Sequence, residues 1–326
     1  MPKNILKTTT LYHYQIMIEM TDAIDLKLPL ETNQLTEQTS QTLAQQIQGI
    51  KITNGIETIT TSYVYQAPNN QIINNLPVNY PILLLHGFDS SVFEFRRLLP
   101  LLATQAPTYA VDLLGFGFTE RKLPISPQRI KTHLYSFWQQ LIKQPIILVG
   151  ASMGGAAAID FTLTYPDIVH KLILIDSAGL SSGSSLGKFL FPPLGNLATS
   201  FLANPQIRQK ISINAYYDPQ LASEDAKICA ALHLKCPQWQ QSLISFTKSG
   251  GYGDFSKELG KLNLETLILW GDSDRILGTK DAVNFYRNLS HSRLVWVEKC
   301  GHVPHLEQPE FTAQEMLLFR EGGTES

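Results

Sequence analysis

Six short apolar runs punctuate the chain: PILLLHG, TYAVDLLG, PIILVGAS, HKLILIDS, ETLILWGD and SRLVWVE. Runs of this length with no polar alternation suit strands buried on both faces, where each side must meet packed side chains. They predict a parallel sheet. Upstream, IKIT and ETITTSYVYQAP alternate and are rich in β-branched residues, which predicts an antiparallel pair closed by the turn residues of APNN. The pattern therefore calls for a mostly parallel, eight-stranded α/β sheet. Helical periodicity fills several intervals, best in SPQRIKTHLYSFWQQLIKQ, where Ser126 can cap, Pro127 suits the first turn, and Ile130, Leu134, Phe137 and Leu141 share a face.

The rhythm breaks between Gly179 and Lys261, a gap of about 80 residues and too long for a loop. It carries LGKFLFPPLGNLATSFL and EDAKICAALHLKCPQWQQSLISF and predicts a helical cap over one edge of the sheet. The expected organisation is an N-terminal extension over 1–45, an α/β core over 46–179 and 262–322, the cap over 180–261, and a polar tail over 323–326.

The 326 residues are 44% hydrophobic and 17% charged, enough for a large core. Lys plus Arg number 26 against 28 Asp plus Glu, so there is no cationic field for nucleic acid. Cys229, Cys236 and Cys300 form no even framework and no Cys-x-x-Cys pair, which fits a reducing compartment. No signal-peptide pattern and no run of about 18 apolar residues is present, so the expected location is cytoplasmic, with FLFPPL the segment best suited to a peripheral membrane contact. Packing inside the cap is the plainer use of that segment. Oligomeric state is not legible.

Gly150-Ala151-Ser152-Met153-Gly154 matches G-x-S-x-G, in which a serine sits on a tight strand-to-helix turn. Gly183-Ser184-Ser185-Leu186-Gly187 matches the same string, but no strand precedes it. Context favours Ser152, which follows PIILV and precedes MGGAAAIDFTLTY. A serine hydroxyl needs a general base, and the base needs an orienting carboxylate. Asp272 and Asp274 lie just past one later strand, and His302 and His305 past the last, in the chain order Ser, Asp, His.

Together GASMGG, WGDSDRI, CGHVPHLEQPE and LLLHGFDSS resemble the α/β-hydrolase superfamily over about residues 50–320. The resemblance implies the α/β-hydrolase fold, with Ser152 as nucleophile, Asp274 as acid and His302 as base. It also implies an oxyanion hole made by the backbone amides of Phe88 and Met153, and no metal or other cofactor. Asp272 and His305 become neighbours, and His86 a structural side chain. A closer resemblance, in HGFDSS, HLKCPQW and KSGGY, is to a cyanobacterial and plastid branch related to chlorophyll dephytylases; it implies hydrolysis of a long-chain isoprenoid or lipid ester.

Other residues have plainer readings. Asp176 is an alternative acid or, more simply, a cap or turn carboxylate. His302, His305 and Glu307 mimic a metal cluster but lack further ligands nearby. Cys300 reads as packing, and His13, His133, His170, His233 and His291 as isolated. Gly115 and Gly117 read as a turn rather than a dinucleotide loop. Asp89 sets a carboxylate beside the expected oxyanion hole and so needs a partner, with Arg96, Arg97, Ser90 and Ser91 nearest in sequence, unless it caps a helix. Aromatic residues of the cap, Phe191, Tyr217, Trp239 and Phe246 among them, suggest a pocket for an apolar group of a small-molecule ester. A C–C bond hydrolase with the same three side chains and a non-catalytic binding protein on the same fold are the alternatives.

Overall fold

The computed structural model describes residues 24–68, 80–180, 199 and 201–322. The eight strands are β1 (Gln48–Thr53), β2 (Thr58–Gln66), β3 (Ile82–Leu85), β4 (Thr108–Val111), β5 (Ile146–Ala151), β6 (Val169–Ile175), β7 (Thr266–Gly271) and β8 (Ser292–Val297). They form one sheet in the order β1-β2-β4-β3-β5-β6-β7-β8. The β1–β2 and β2–β4 pairs are antiparallel and every other pair is parallel, as the apolar runs and the upstream hairpin require.

Side-chain alternation sends each parallel strand into two separate layers of core. Leu83, Leu85, Leu148, Leu172, Leu174, Ile268 and Trp270 join the cluster on one face. Ile82, Leu84, Ile147, Val149, Ile173, Ile175, Leu267 and Leu269 join the cluster on the other. A continuous apolar run is what a strand with two packed faces needs. Strand β8 departs from that expectation: it lies at the sheet edge, Leu294 and Val295 are only half-buried, and Trp296 is exposed.

Among the described residues the α-helices are α1 (Gln38–Gln46), α2 (Leu99–Leu102), α3 (Pro127–Phe137), α4 (Met153–Thr164), α5 (Pro205–Ala215), α6 (Glu224–Ala231), α7 (Trp239–Lys248), α8 (Lys280–Asn288), α9 (Pro304–Glu307) and α10 (Pro309–Arg320). Ser126 caps α3 through the Arg129 N–H, and Ile130, Leu134 and Phe137 are buried as the helical period requires. Helices α3, α4 and α8 cover the first layer; α1, α2 and α10 cover the second.

Residues 201–261 contain α5, α6 and α7 and no strand among the described residues. Trp239, Leu243 and Phe246 of α7 enter the first core layer, while Cys229 and Leu232 enter the second. The segment is thus seated across both layers. Within 24–45, Leu35 and Leu43 are buried in the second layer. No helix among the described residues is long and apolar enough to cross a membrane.

Candidate active site

The residues singled out from the motifs gather at the C-terminal ends of adjacent parallel strands. Ser152 follows β5, Asp176 follows β6, Asp274 follows β7 and His302 follows β8. Loops at that end of an open α/β sheet frame its crevice.

Ser152 stands between strand and helix with φ 51° and ψ −120°, a left-handed conformation that is strained for a residue with a side chain. Tight surroundings hold it there. Its N–H donates to the Ile175 carbonyl at 3.0 Å, and its carbonyl accepts from Gly155 N and Ala178 N, each at 2.9 Å. A Cβ on Gly154 would collide with the Leu85 carbonyl, so only glycine lets α4 approach β3 this closely. Gly87 faces the serine: a Cβ built there would lie 3.4 Å from the Ser152 Cβ. The Ser152 hydroxyl has no hydrogen bond to another described residue.

Asp274 and His302 are joined directly, with His302 Nδ1 2.9 Å from Asp274 Oδ2. The other carboxylate oxygen accepts the N–H groups of Ile276 at 2.7 Å and Leu277 at 3.1 Å. Burial alone would raise this carboxyl's pKa, but the His302 contact and the two amides outweigh it and hold it below the usual range. A carboxylate can only accept, so Nδ1 carries the proton of this bond, which points Nε2 of the same ring away from Asp274.

Asp272 and His305 go elsewhere. Asp272 takes the Lys299 and Cys300 amides at 3.1 and 3.4 Å, and His305 Nε2 lies 3.2 Å from Glu94 Oε1. Glu307 is used by backbone, accepting Gly301 N at 2.7 Å, Tyr217 N at 3.0 Å and Asp218 N at 2.8 Å. It does not converge with the two histidines as a ligand set. Among the described residues the three acidic or imidazole groups that do converge are Asp176, Asp274 and His302, with ligand-type atoms within 4.8 Å of one another. Asp176 is fully buried, and burial together with the Asp274 charge raises its pKa well above the usual range. It caps no helix.

The loop carrying Phe88 is pinned from below. His86 Nε2 accepts Leu113 N at 3.1 Å, Nδ1 donates to the Gly87 carbonyl at 2.8 Å, and Gly87 N donates to Glu94 Oε2 at 2.9 Å. His86 is therefore fully occupied by backbone. Glu94 is half-buried; desolvation would raise its pKa, but the bond from the neighbouring His305 holds it at about 2. Gly115 and Gly117 form a turn, and Gly117 at φ 52° leaves no room for a Cβ against Asp112, whose carboxylate takes the Val92 and Phe118 amides and the Ser62 hydroxyl.

Asp89 has partners, but not those its neighbours in sequence suggest. Neither Arg96, Arg97, Ser90 nor Ser91 pairs with it; the carboxylate is held by Arg208, His233 and Trp239, all from the segment between β6 and β7. It is not a helix cap. Contacts between residues over a hundred positions apart leave no local trace, so Arg208 and His233 escaped the sequence reading. Trp239 is buried, Tyr217 is exposed, and Phe191 lies outside the described residues. Beside the site, Phe88, Phe116 and Phe246 form an aromatic cluster with centroids 5.5 to 6.1 Å apart. Two cavities, of about 740 and 620 Å³, open elsewhere, and neither is lined by Ser152, Asp274 or His302.

Known proteins share this arrangement of sequence and fold. A model described as "Alpha/beta hydrolase family" matches residues 82–315. The chain is 34% identical over 246 residues to "Alpha/beta hydrolase domain-containing protein VTE7" of Arabidopsis thaliana, covering 74% of each. It is 27% identical over 248 residues to Lipase 1 of Psychrobacter immobilis, covering 74% of this chain and 76% of the lipase. A meta-cleavage product hydrolase from Pseudomonas fluorescens shares the fold, with TM-score 0.68 and 20% identity over 84% of this chain and 97% of that one. The plant relative agrees with the closer resemblance carried by HGFDSS, HLKCPQW and KSGGY.

Proposed function

The chain belongs to the α/β-hydrolase family, and from that footing we propose that it is a serine hydrolase of carboxylic esters bearing a long apolar group, of lipid or isoprenoid type. The observation that carries the reading is the 2.9 Å bond from His302 Nδ1 to Asp274 Oδ2, at the same sheet end as the strained Ser152 turn.

His302 Nε2 takes the Ser152 proton as Oγ attacks the ester carbonyl carbon. The imidazolium so formed is stabilised by Asp274, and it passes the proton to the alkoxide oxygen as the C–O bond breaks. Water then attacks the acyl-enzyme, giving its proton to Nε2, and Ser152 leaves with that proton. The oxyanion of each tetrahedral intermediate is met by the N–H groups of Phe88 and Met153; neither donates to another described residue, and Met153 opens α4, where the helix dipole favours negative charge. No metal or organic cofactor enters these steps.

Two features support an apolar substrate: the Phe88, Phe116 and Phe246 cluster beside the serine, and the likeness to a protein named as a lipase. The test is a panel of p-nitrophenyl and long-chain alcohol esters, run beside a dienone C–C substrate and fluorophosphonate labelling. Wild type should label and should favour long apolar esters. Ser152→Ala should lose label and about 10⁴-fold or more in kcat while keeping its fold. Wild-type turnover by Ser152→Ala would overturn the assignment, and preference for the dienone would overturn the substrate class.

A further inference from the structure

Phe88 sits between two anchors of different origin. On its N-terminal side, His86 and Gly87 are tied to Leu113, just past β4, and to Glu94, in the turn that follows the loop. On its C-terminal side, the Asp89 carboxylate accepts Arg208 Nη1 at 2.6 Å on one oxygen, and Trp239 Nε1 at 2.7 Å with His233 Nε2 at 3.0 Å on the other. All three donors belong to the segment between β6 and β7. Asp89 itself is held at φ 50°, a left-handed conformation that an aspartate tolerates but does not prefer. Desolvation would raise its pKa; the bond from His233 and the Arg208 charge hold it at about 2, so it is an anion at neutral pH.

Arg208 is more than a counter-ion. Its second guanidinium nitrogen donates to the Ala230 carbonyl at 2.6 Å and reaches the Asp89 carbonyl at 3.4 Å, so one planar group fixes α6 and the Phe88 loop together. The helix that carries it, α5, ends at Ala215, whose carbonyl accepts the His302 N–H at 2.7 Å. Roughly two turns of helix, about 10 Å, thus run from the Phe88 loop to the His302 loop. None of the residues of α5 is buried, and these polar contacts tie it near both ends.

We propose that Asp89 is a positioning residue for the Phe88 amide, and that Arg208 of α5 is the latch through which docking of the segment between β6 and β7 completes the oxyanion hole. The proposal rests on the serine-hydrolase reading above. Transition-state donors are effective only when preorganised, so loss of the latch lowers kcat more than it changes ground-state binding.

The test uses the full chain and a short p-nitrophenyl ester. Removing Asp89 strips a buried site of its acceptor and risks the fold, so Arg208→Met is the primary variant, its side chain being 15% exposed on a helix with no buried residue. Arg208→Met should lower kcat by about 10- to 100-fold with KM within about twofold, and should weaken a trifluoromethyl ketone, which forms an oxyanion adduct with the serine, by the same factor. Arg208→Lys, which keeps the charge, should recover part of both losses. Wild-type kcat and ketone affinity in Arg208→Met would overturn the latch. So would a loss confined to KM. Turnover surviving in Ser152→Ala is a separate outcome, which removes the underlying reading instead.

Discussion

Asp176 is a buried carboxyl with no cation paired to it among the described residues. Its oxygens accept the Gly271 N–H at 3.1 and 3.4 Å, and the charge nearest in chemistry is the like charge of Asp274. Two carboxyls this close cannot both ionise cheaply, and their surroundings push them apart: Asp274 is held down by His302 and two amides, while burial pushes Asp176 up. Asp176 is therefore the member of the pair that holds its proton to the higher pH. A raised folded-state pKa gives stability that is complete below the unfolded value, about 3.9, and is lost as pH rises toward the folded value. Asparagine mimics the protonated acid without that loss. The melting temperature of Asp176→Asn relative to wild type should thus climb between pH 4 and pH 8, with esterase activity within about threefold because His302 keeps its bond to Asp274. A difference that shrinks with rising pH would mean that Asp176 is ionised in the fold.

At the scale of elements, β3, β5 and β7 were legible because each lies between two packed layers and is buried at every position, and β1 and β2 because their polar and apolar residues alternate. Strand β8 was over-read because its neighbour on one side is solvent, a fact of sheet order that an apolar run does not carry. The β5–Ser152–α4 turn was legible for a different reason: small residues cluster where helix and strand backbones touch. Helix α5 was not legible as an individual element, since a helix that buries none of its residues leaves no sharp 3.6-residue stripe. The turn yields a direct test. Gly154→Ala drives a methyl into the Leu85 carbonyl, whose strand leads into the His86–Phe88 loop, so the variant should lose about 1–3 kcal/mol and most of its activity. Gly253 faces open space with ordinary backbone, and Gly253→Ala should stay within about 0.5 kcal/mol. Urea unfolding of both separates the collision from a general intolerance of alanine.

The whole molecule is closed by polar contacts between segments far apart in the chain, and for that reason unreadable from the sequence. Asp225 of α6 holds the residues that lead into α1, accepting Thr36 N at 2.5 Å, Glu37 N at 2.9 Å and the Ser40 hydroxyl at 3.0 Å. Glu37 in turn takes a two-pronged pair from Arg97 at 2.6 and 3.0 Å, and Arg97 reaches the Leu306 carbonyl at 2.7 Å, in the helix that follows His302. Buried Arg96 lies 3.5 Å from Glu37 and 4.0 Å from Asp225, with two of its nitrogens lacking a hydrogen-bond partner. N-terminal residues, the Arg96–Arg97 stretch after β3 and the segment between β6 and β7 therefore share one partly buried polar network, and they should unfold together. Asp225→Ala leaves the Thr36 and Glu37 amides without their acceptor and Arg96 with less compensation, at a cost of about 2–4 kcal/mol. Burial would raise the Asp225 pKa, but the Glu37 and Thr36 amides lower it overall. A lowered folded-state pKa gives stability that is present above the ordinary aspartate value and lost as pH falls through the folded one. The deficit of Asp225→Ala should consequently be full at pH 7, shrink below about pH 4, and appear as a shift of one cooperative transition. Calorimetry that resolved two transitions in the wild type, or a deficit undiminished at pH 3, would show that the network does not couple the three segments.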